Sequence, residues 1–93
     1  MLAIEWSPQA RVDLLALIEH IASGHPGAAQ RFRLEIQTKT ARLARHPQLH
    51  RVGRVEGTRE LVVRPSYVLV YIERPESICI LRLLHTARQW PAL

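Results

Sequence analysis

Cysteine is almost missing from this chain. Cys79 is the one thiol in 93 residues, so no internal disulfide can form. Its place in an apolar run predicts a small core side chain in a reducing compartment. No stretch approaches the roughly eighteen apolar residues of a membrane span. Residues Met1 to Ser7 carry Glu5 and lack a basic segment followed by an apolar one. The expectation is a soluble, cytoplasmic protein with no membrane partner. Repeats, low-complexity tracts and Gly/Ser linkers are also missing, which excludes solenoids and tethered modules. At 10.7 kDa the chain has room for one domain, residues 1–93, and a second is excluded. A domain of this size buries about 60–65% of its unfolded surface, leaving little apolar area for a deep cofactor cavity. Function is therefore expected on a surface or in a shallow groove, with no cofactor.

Lysine is scarce as well: of thirteen basic residues only Lys39 is not arginine. Against eight acidic residues they give a net charge of +5 and a pI near 10.7. Such a surface attracts anions, either nucleic acid or an acidic protein segment. With 47% hydrophobic and 23% charged residues, the composition is that of a folding chain.

Proline and glycine supply the punctuation. Leu2 to Trp6 is a short segment ending at Ser7-Pro8, where serine suits an N-cap and proline the first helical position. Leu14, Leu17, Ile18 and Ile21 recur at three- and four-residue spacing, predicting helix one over 8–23. After Gly24-His25-Pro26-Gly27, an apolar stripe of Ala28, Ala29, Phe32, Ile36 and Leu43 predicts helix two over 27–45. His46-Pro47 stops it, because a residue before proline avoids the helical region. Residues 48–57 lack periodicity and read as a loop. Segments 58–64, 67–73 and 77–84 are rich in Val, Ile, Leu and Tyr, with turns at Pro65-Ser66 and Arg74-Pro75-Glu76; they predict an antiparallel meander. The order is β-α-α-β-β-β, an α+β fold with an antiparallel helical hairpin packed on an antiparallel sheet.

Catalytic patterns are few. His46 and His50 have the four-residue spacing of a helical metal pair, but Pro47 breaks the helix between them and no second ligand pair follows, so no metal site is expected. His20 and His25 read as solvated imidazoles at a helix end. The serines sit beside Pro, Gly or turn residues, and Gly53 to Gly57 lacks the length and lysine of a phosphate loop. What remains is a group at strand ends: Arg59, Arg64, Arg82, His85 and Arg88. On one exposed face these residues could cleave RNA, with His85 as proton carrier, Glu56 or Glu60 for the second transfer, and arginines neutralising the phosphorane. The plainer reading makes Arg59, Glu60 and Arg82 solvent-facing charges on alternating strands.

Several motifs together resemble the RelE/ParE superfamily of toxins. They are Trp6-Ser7-Pro8-Gln9-Ala10-Arg11 with Asp13-Leu14, Pro47, Gly53-Arg54, Gly57-Thr58-Arg59-Glu60-Leu61-Val62, Tyr67, Tyr71, and the run from Ile80 to Pro91. The resemblance spans essentially the whole chain and implies the toxin of a bacterial type II toxin–antitoxin pair. It also implies a small ParD-like antitoxin whose acidic, disordered C-terminal segment folds across the toxin. Members divide into ribosome-dependent mRNA endonucleases, the RelE branch, and DNA gyrase inhibitors that act by binding, the ParE branch. RelE-like nucleases carry lysines before and within the second strand. This chain has Arg51 and Arg54 there, and its ending Leu84-His85-Thr86-Ala87-Arg88-Gln89-Trp90-Pro91 looks ParE-like. Gyrase inhibition without catalytic residues is therefore the expected activity, with the ribosome and mRNA as the alternative target. In that alternative His85, Arg59 and Arg82 are the catalytic set. The target-binding candidates are Arg59, Arg82, His85, Arg88 and Trp90, the last also suited to closing one end of the core. Antitoxin binding is assigned to the exposed helical hairpin and the sheet edge, with Arg31, Arg42 and Arg45 as carboxylate partners.

Overall fold

The computed structural model describes residues 2–86. Strand β1 (Ala3–Trp6) leads into α1 (Pro8–Gly24) and α2 (Pro26–Arg45). Strands β2 (Arg51–Val52), β3 (Arg59–Arg64), β4 (Tyr67–Glu73) and β5 (Ser77–His85) follow.

Helix α1 begins where a serine cap and a proline coincide. The Ser7 hydroxyl accepts from the Ala10 N–H at 3.0 Å, and Pro8 takes the first turn, where its missing N–H costs nothing. The turn expected at 24–27 shrinks to one residue, His25, which closes α1 through its N–H to the Ile21 carbonyl. Proline suits a first helical position, so α2 starts at Pro26 and not at Gly27. Helix α2 ends at Arg45, and the His46 N–H reaches the Arg42 carbonyl before Pro47.

The meander β3–β4–β5 is antiparallel as the sequence indicates. Two features of the sheet differ from expectation. First, β1 pairs parallel to β5, with Ala3 opposite Ser77 and Trp6 opposite Ile80, so the sheet is mixed. Second, the segment expected as loop contains β2, which pairs Arg51 with Glu60 and Val52 with Arg59. The sheet order is β1-β5-β4-β3-β2. Leu81 and Val63 are extra residues where the pairing register shifts.

The helices cover one sheet face. Ala10, Phe32, Ile36 and Leu43 meet Leu61, Val63, Leu69, Tyr71, Ile78, Ile80 and Leu83, while Leu14, Leu17, Ile18 and Ile21 pack partly buried around them. Thr40 is buried among these residues, its hydroxyl satisfied by the Ile36 carbonyl at 2.9 Å. Val68, Val70 and Leu84, on the other sheet face, form a second buried cluster, and Cys79 is buried as expected. No helix among the described residues is long and apolar enough to cross a membrane.

Candidate functional site

The polar residues gather at two ends of the sheet. At the first, α1 side chains complete the outer edge of β5 beyond the point where β1 stops. The Ser7 hydroxyl donates to the Leu81 carbonyl at 3.0 Å, and Asp13 Oδ2 accepts from the Leu83 N–H at 3.0 Å. The same carboxylate holds Arg82, with Nε to Oδ2 at 2.8 Å and Nη2 to Oδ1 at 3.2 Å. Burial alone would raise the Asp13 carboxyl; the bonds from Arg82, Leu83 and Gln9 overcome it and hold the pKa below the usual aspartate value. Its carboxylate raises Arg82 in return, although burial opposes the rise.

Beside this pair, Asp13, Ala16, Leu17, Tyr67, Leu83 and His85 line a shallow pocket of about 210 Å³. The His85 ring stands edge-on to Tyr67 with centroids 5.4 Å apart. Tyr67 in turn meets Phe32 at 6.1 Å, and the Arg64 guanidinium lies 4.8 Å over the Phe32 ring while its Nε bonds Glu35 at 3.0 Å.

At the second end the Gly53–Thr58 turn folds back on β3. The Gly53 N–H donates to the Thr58 carbonyl at 2.8 Å, and a Cβ at Gly53 would come within 2.1 Å of Thr58 Oγ1. Gly57 adopts φ of 85°, where other residues are strained. The turn delivers Arg54 to Glu60, whose carboxylate takes the Arg54 N–H at 3.1 Å, Arg54 Nε at 3.4 Å and Arg51 Nη2 at 3.0 Å. Glu60 is thus buried, with its side chain 2% exposed, and not solvent-facing. Arg59 donates to the His50 carbonyl at 2.8 Å. Burial, then Arg42, then Arg59 hold the His50 imidazole below its usual pKa.

That depression has a measurable consequence. The folded protein resists protonation of His50 while the unfolded chain accepts it near pH 6.5, so stability falls as pH drops through and below that value. Urea titrations from pH 7.5 to 5 should show a smaller loss in His50→Gln than in the wild type.

Tyr71 sits under this end, fully buried, its hydroxyl donating to the Pro47 carbonyl. Its phenol is pushed up to about 12 by burial, with Arg59 opposing and Glu73 adding to the rise. A raised folded value gives stability that is present below the ordinary pKa of 10 and lost as pH climbs through the folded one. Tyr71→Phe should cost about 1 kcal/mol at pH 8 and lessen the alkaline loss of stability, read by thermal unfolding between pH 8 and 12.

The target-binding candidates are not all brought together. Arg59 lies opposite Tyr71, and His85 opposite Tyr67. A step of four positions along β4 separates the two rows, about 13 Å along a strand. Arg82 and His85 share the α1 end, while Arg59 belongs with Arg51 and Arg54. Arg88 and Trp90 lie outside the described residues. Arg31, Arg42 and Arg45 are all exposed along α2. The Asp13–Arg82 pair was not legible in the sequence; its members lie 69 positions apart, and no local pattern joins them.

Comparison with known proteins places this geometry. Residues 4–90 match the family model described as the ParE toxin of the type II toxin–antitoxin system parDE. Toxin RelE2 of Caulobacter vibrioides is 36% identical over 88 residues, covering 95% of this chain and 99% of that protein. Toxin RelE3 of the same organism is 34% identical over 89 residues, covering 92% and 96%. Among solved structures, a chain of the chromosomal ParDE system from P. aeruginosa superposes with a TM-score of 0.80. It has 22% identity and covers 91% of this chain and 96% of that one.

Proposed function

Because the chain belongs to the ParE toxin family of type II toxin–antitoxin systems, we propose that it arrests bacterial growth by binding DNA gyrase and blocking replication, without turnover of its own. A cognate ParD-like antitoxin with an acidic C-terminal segment neutralises it. Arg82 and His85 at one end of the sheet contact the target, with Arg59 as a separate contact at the other end; Arg88 and Trp90 complete the proposed target-binding set.

One observation carries this reading against catalysis. Among the described residues, the two arginines that share His85's end of the sheet are already held by carboxylates, Arg82 by Asp13 and Arg64 by Glu35. Arg59, the other arginine of the nuclease set, lies a strand's length away. RNA cleavage needs cationic groups aimed within hydrogen-bonding distance of the developing phosphorane, close to the proton carriers. Guanidiniums fixed by ion pairs suit a preformed binding surface instead, where little side-chain freedom is lost on association.

The second reading is a ribosome-dependent mRNA endonuclease. It is favoured by the RelE names of the two relatives and by two proton carriers, His85 and Tyr67, meeting at an open pocket. One preparation separates the two. Purified toxin should inhibit gyrase supercoiling and leave mRNA intact in a translating extract; cut mRNA with unaltered supercoiling would establish the nuclease.

A further inference from the structure

The outward side of the helical hairpin carries apolar side chains that no described element covers. On α1, Val12 and Leu15 are each 58% exposed, and on α2 Leu34 is 53% exposed. They stand away from the buried stripes, in which Ala10, Phe32 and Ile36 face the sheet. Because His25 alone joins the helices, positions equally far from it lie level across the hairpin. Ala16 and Leu34 are nine positions on either side of it, so Leu34 stands at the level of Leu15 and Ala16, both exposed. Thr38, one turn further along α2, bends its hydroxyl back to the Leu34 carbonyl at 3.0 Å and needs no outside partner.

Charge on this side follows a simple order. Arg11, Leu15 and Glu19 are four positions apart and all exposed, so they form one row along α1. The row has a cation at one end, an anion at the other and a leucine at its centre. Arg11 and Glu19 are about 12 Å apart along the axis, too far to pair with each other. Among the described residues neither has an ion-pair partner.

We propose that this row is a twofold interface of the free protein: two copies pack α1 against α1 in opposite directions, Leu15 on Leu15, with each Arg11 on Glu19 of the other copy. In the commonest helix packing the i±4 rows of both helices interdigitate at about −50°, which aligns such rows with one another. Reversing one row brings opposite charges together at both ends, and a twofold axis through Leu15 makes the two pairs identical. Val12 and Leu34 flank the axis and lose water on association. The mixed charge selects the occupant. An acidic segment would gain Arg11 but meet Glu19. A nucleic-acid backbone would be repelled by Glu19 and would leave three apolar side chains in water. A second copy satisfies the cation, the anion and the leucine at once. The patch is small, and contacts of this size are transient. The dimer is therefore expected at about 10–100 µM and the monomer near 1 µM. It stands or falls independently of what the toxin attacks.

Sedimentation velocity of the full chain between about 1 and 200 µM reads the state directly. The wild type should pass from monomer to dimer across that range. Arg11→Glu alone and Glu19→Arg alone should each weaken the dimer at least about tenfold, because like charges then face each other at both ends. An equimolar mixture of these two variants should dimerise as the wild type does, since each supplies the charge that the other has lost. Leu15→Asp should remain a monomer throughout. All three positions are exposed, and matching circular dichroism spectra keep folding out of the comparison. A wild type that is monomeric at the highest concentration, a dimer untouched by Leu15→Asp, or a mixture of the reversed variants that stays monomeric would each overturn the interface. Loss of antitoxin or gyrase binding in Leu15→Asp, with the wild type monomeric, would assign the face to that partner instead.

Discussion

Phe32→Ala is expected to lower the unfolding free energy by about 3–5 kcal/mol, the range for truncating a fully buried aromatic ring. A domain of this length has about 5–14 kcal/mol in total, so the loss takes a large share of its stability. The cause is specific. Phe32 has no exposed surface, meets Tyr67 edge-on, and carries the Arg64 guanidinium on its face. Removing the ring leaves a cavity where α2 meets β3 and β4, and it loosens the row from Arg64 through Tyr67 to His85. Phe32→Leu retains most of the volume and should cost less than about 2 kcal/mol. Urea denaturation of the three proteins checks the order, with Phe32→Ala the least stable.

The second large effect concerns a charge. Asp13→Ala removes the partner of Arg82 and the acceptor of the Leu83 N–H in one step. Both groups are substantially buried: the side chains of Arg82 and Asp13 are 20% and 7% exposed. The expected loss is about 3 kcal/mol, because a partly buried ion pair is broken and the Leu83 N–H loses its carboxylate acceptor. Asp13→Asn keeps an acceptor for the amide and should lose roughly half as much. Asp13→Ala combined with Arg82→Leu should recover part of the loss, since the desolvation cost of the partly buried guanidinium goes with it. The pair also sets an acid limit. The folded pKa of Asp13 lies below its ordinary value, so its contribution is complete above the unfolded pKa near 4 and disappears as pH falls through the folded one. Stability measured between pH 5 and 2 should fall less steeply in Asp13→Asn than in the wild type.

Local chemistry was readable in the sequence, and long-range pairing was not. Ser7-Pro8 and His46-Pro47 bound the helical region in the structure because capping and proline sterics act within a few residues. Pro65-Ser66 and the Arg74–Glu76 turn mark the meander for the same reason. The parallel pairing of β1 with β5 joins residues more than seventy positions apart, and a four-residue strand carries no mark of its partner. Strand β2 escaped because two residues show no period; it forms where Glu60 gathers Arg51 and Arg54. Glu60 itself looked like an alternating surface charge. Its burial follows from those two arginines, which come from a segment without periodicity. The helical arginines Arg31, Arg42 and Arg45 were correctly placed on an exposed face, since α2 shows its apolar stripe plainly. The arginines of the strands were harder to place, because cross-strand register decides which of them meet.

Binding without turnover is tested most directly by titrating the purified toxin at fixed gyrase concentration while following supercoiling and mRNA integrity together. Inhibition should rise in proportion to toxin and saturate near equivalence with gyrase, with no RNA fragments at any ratio. Fragments that accumulate with time at toxin concentrations far below that of ribosomes, with supercoiling untouched, would contradict it.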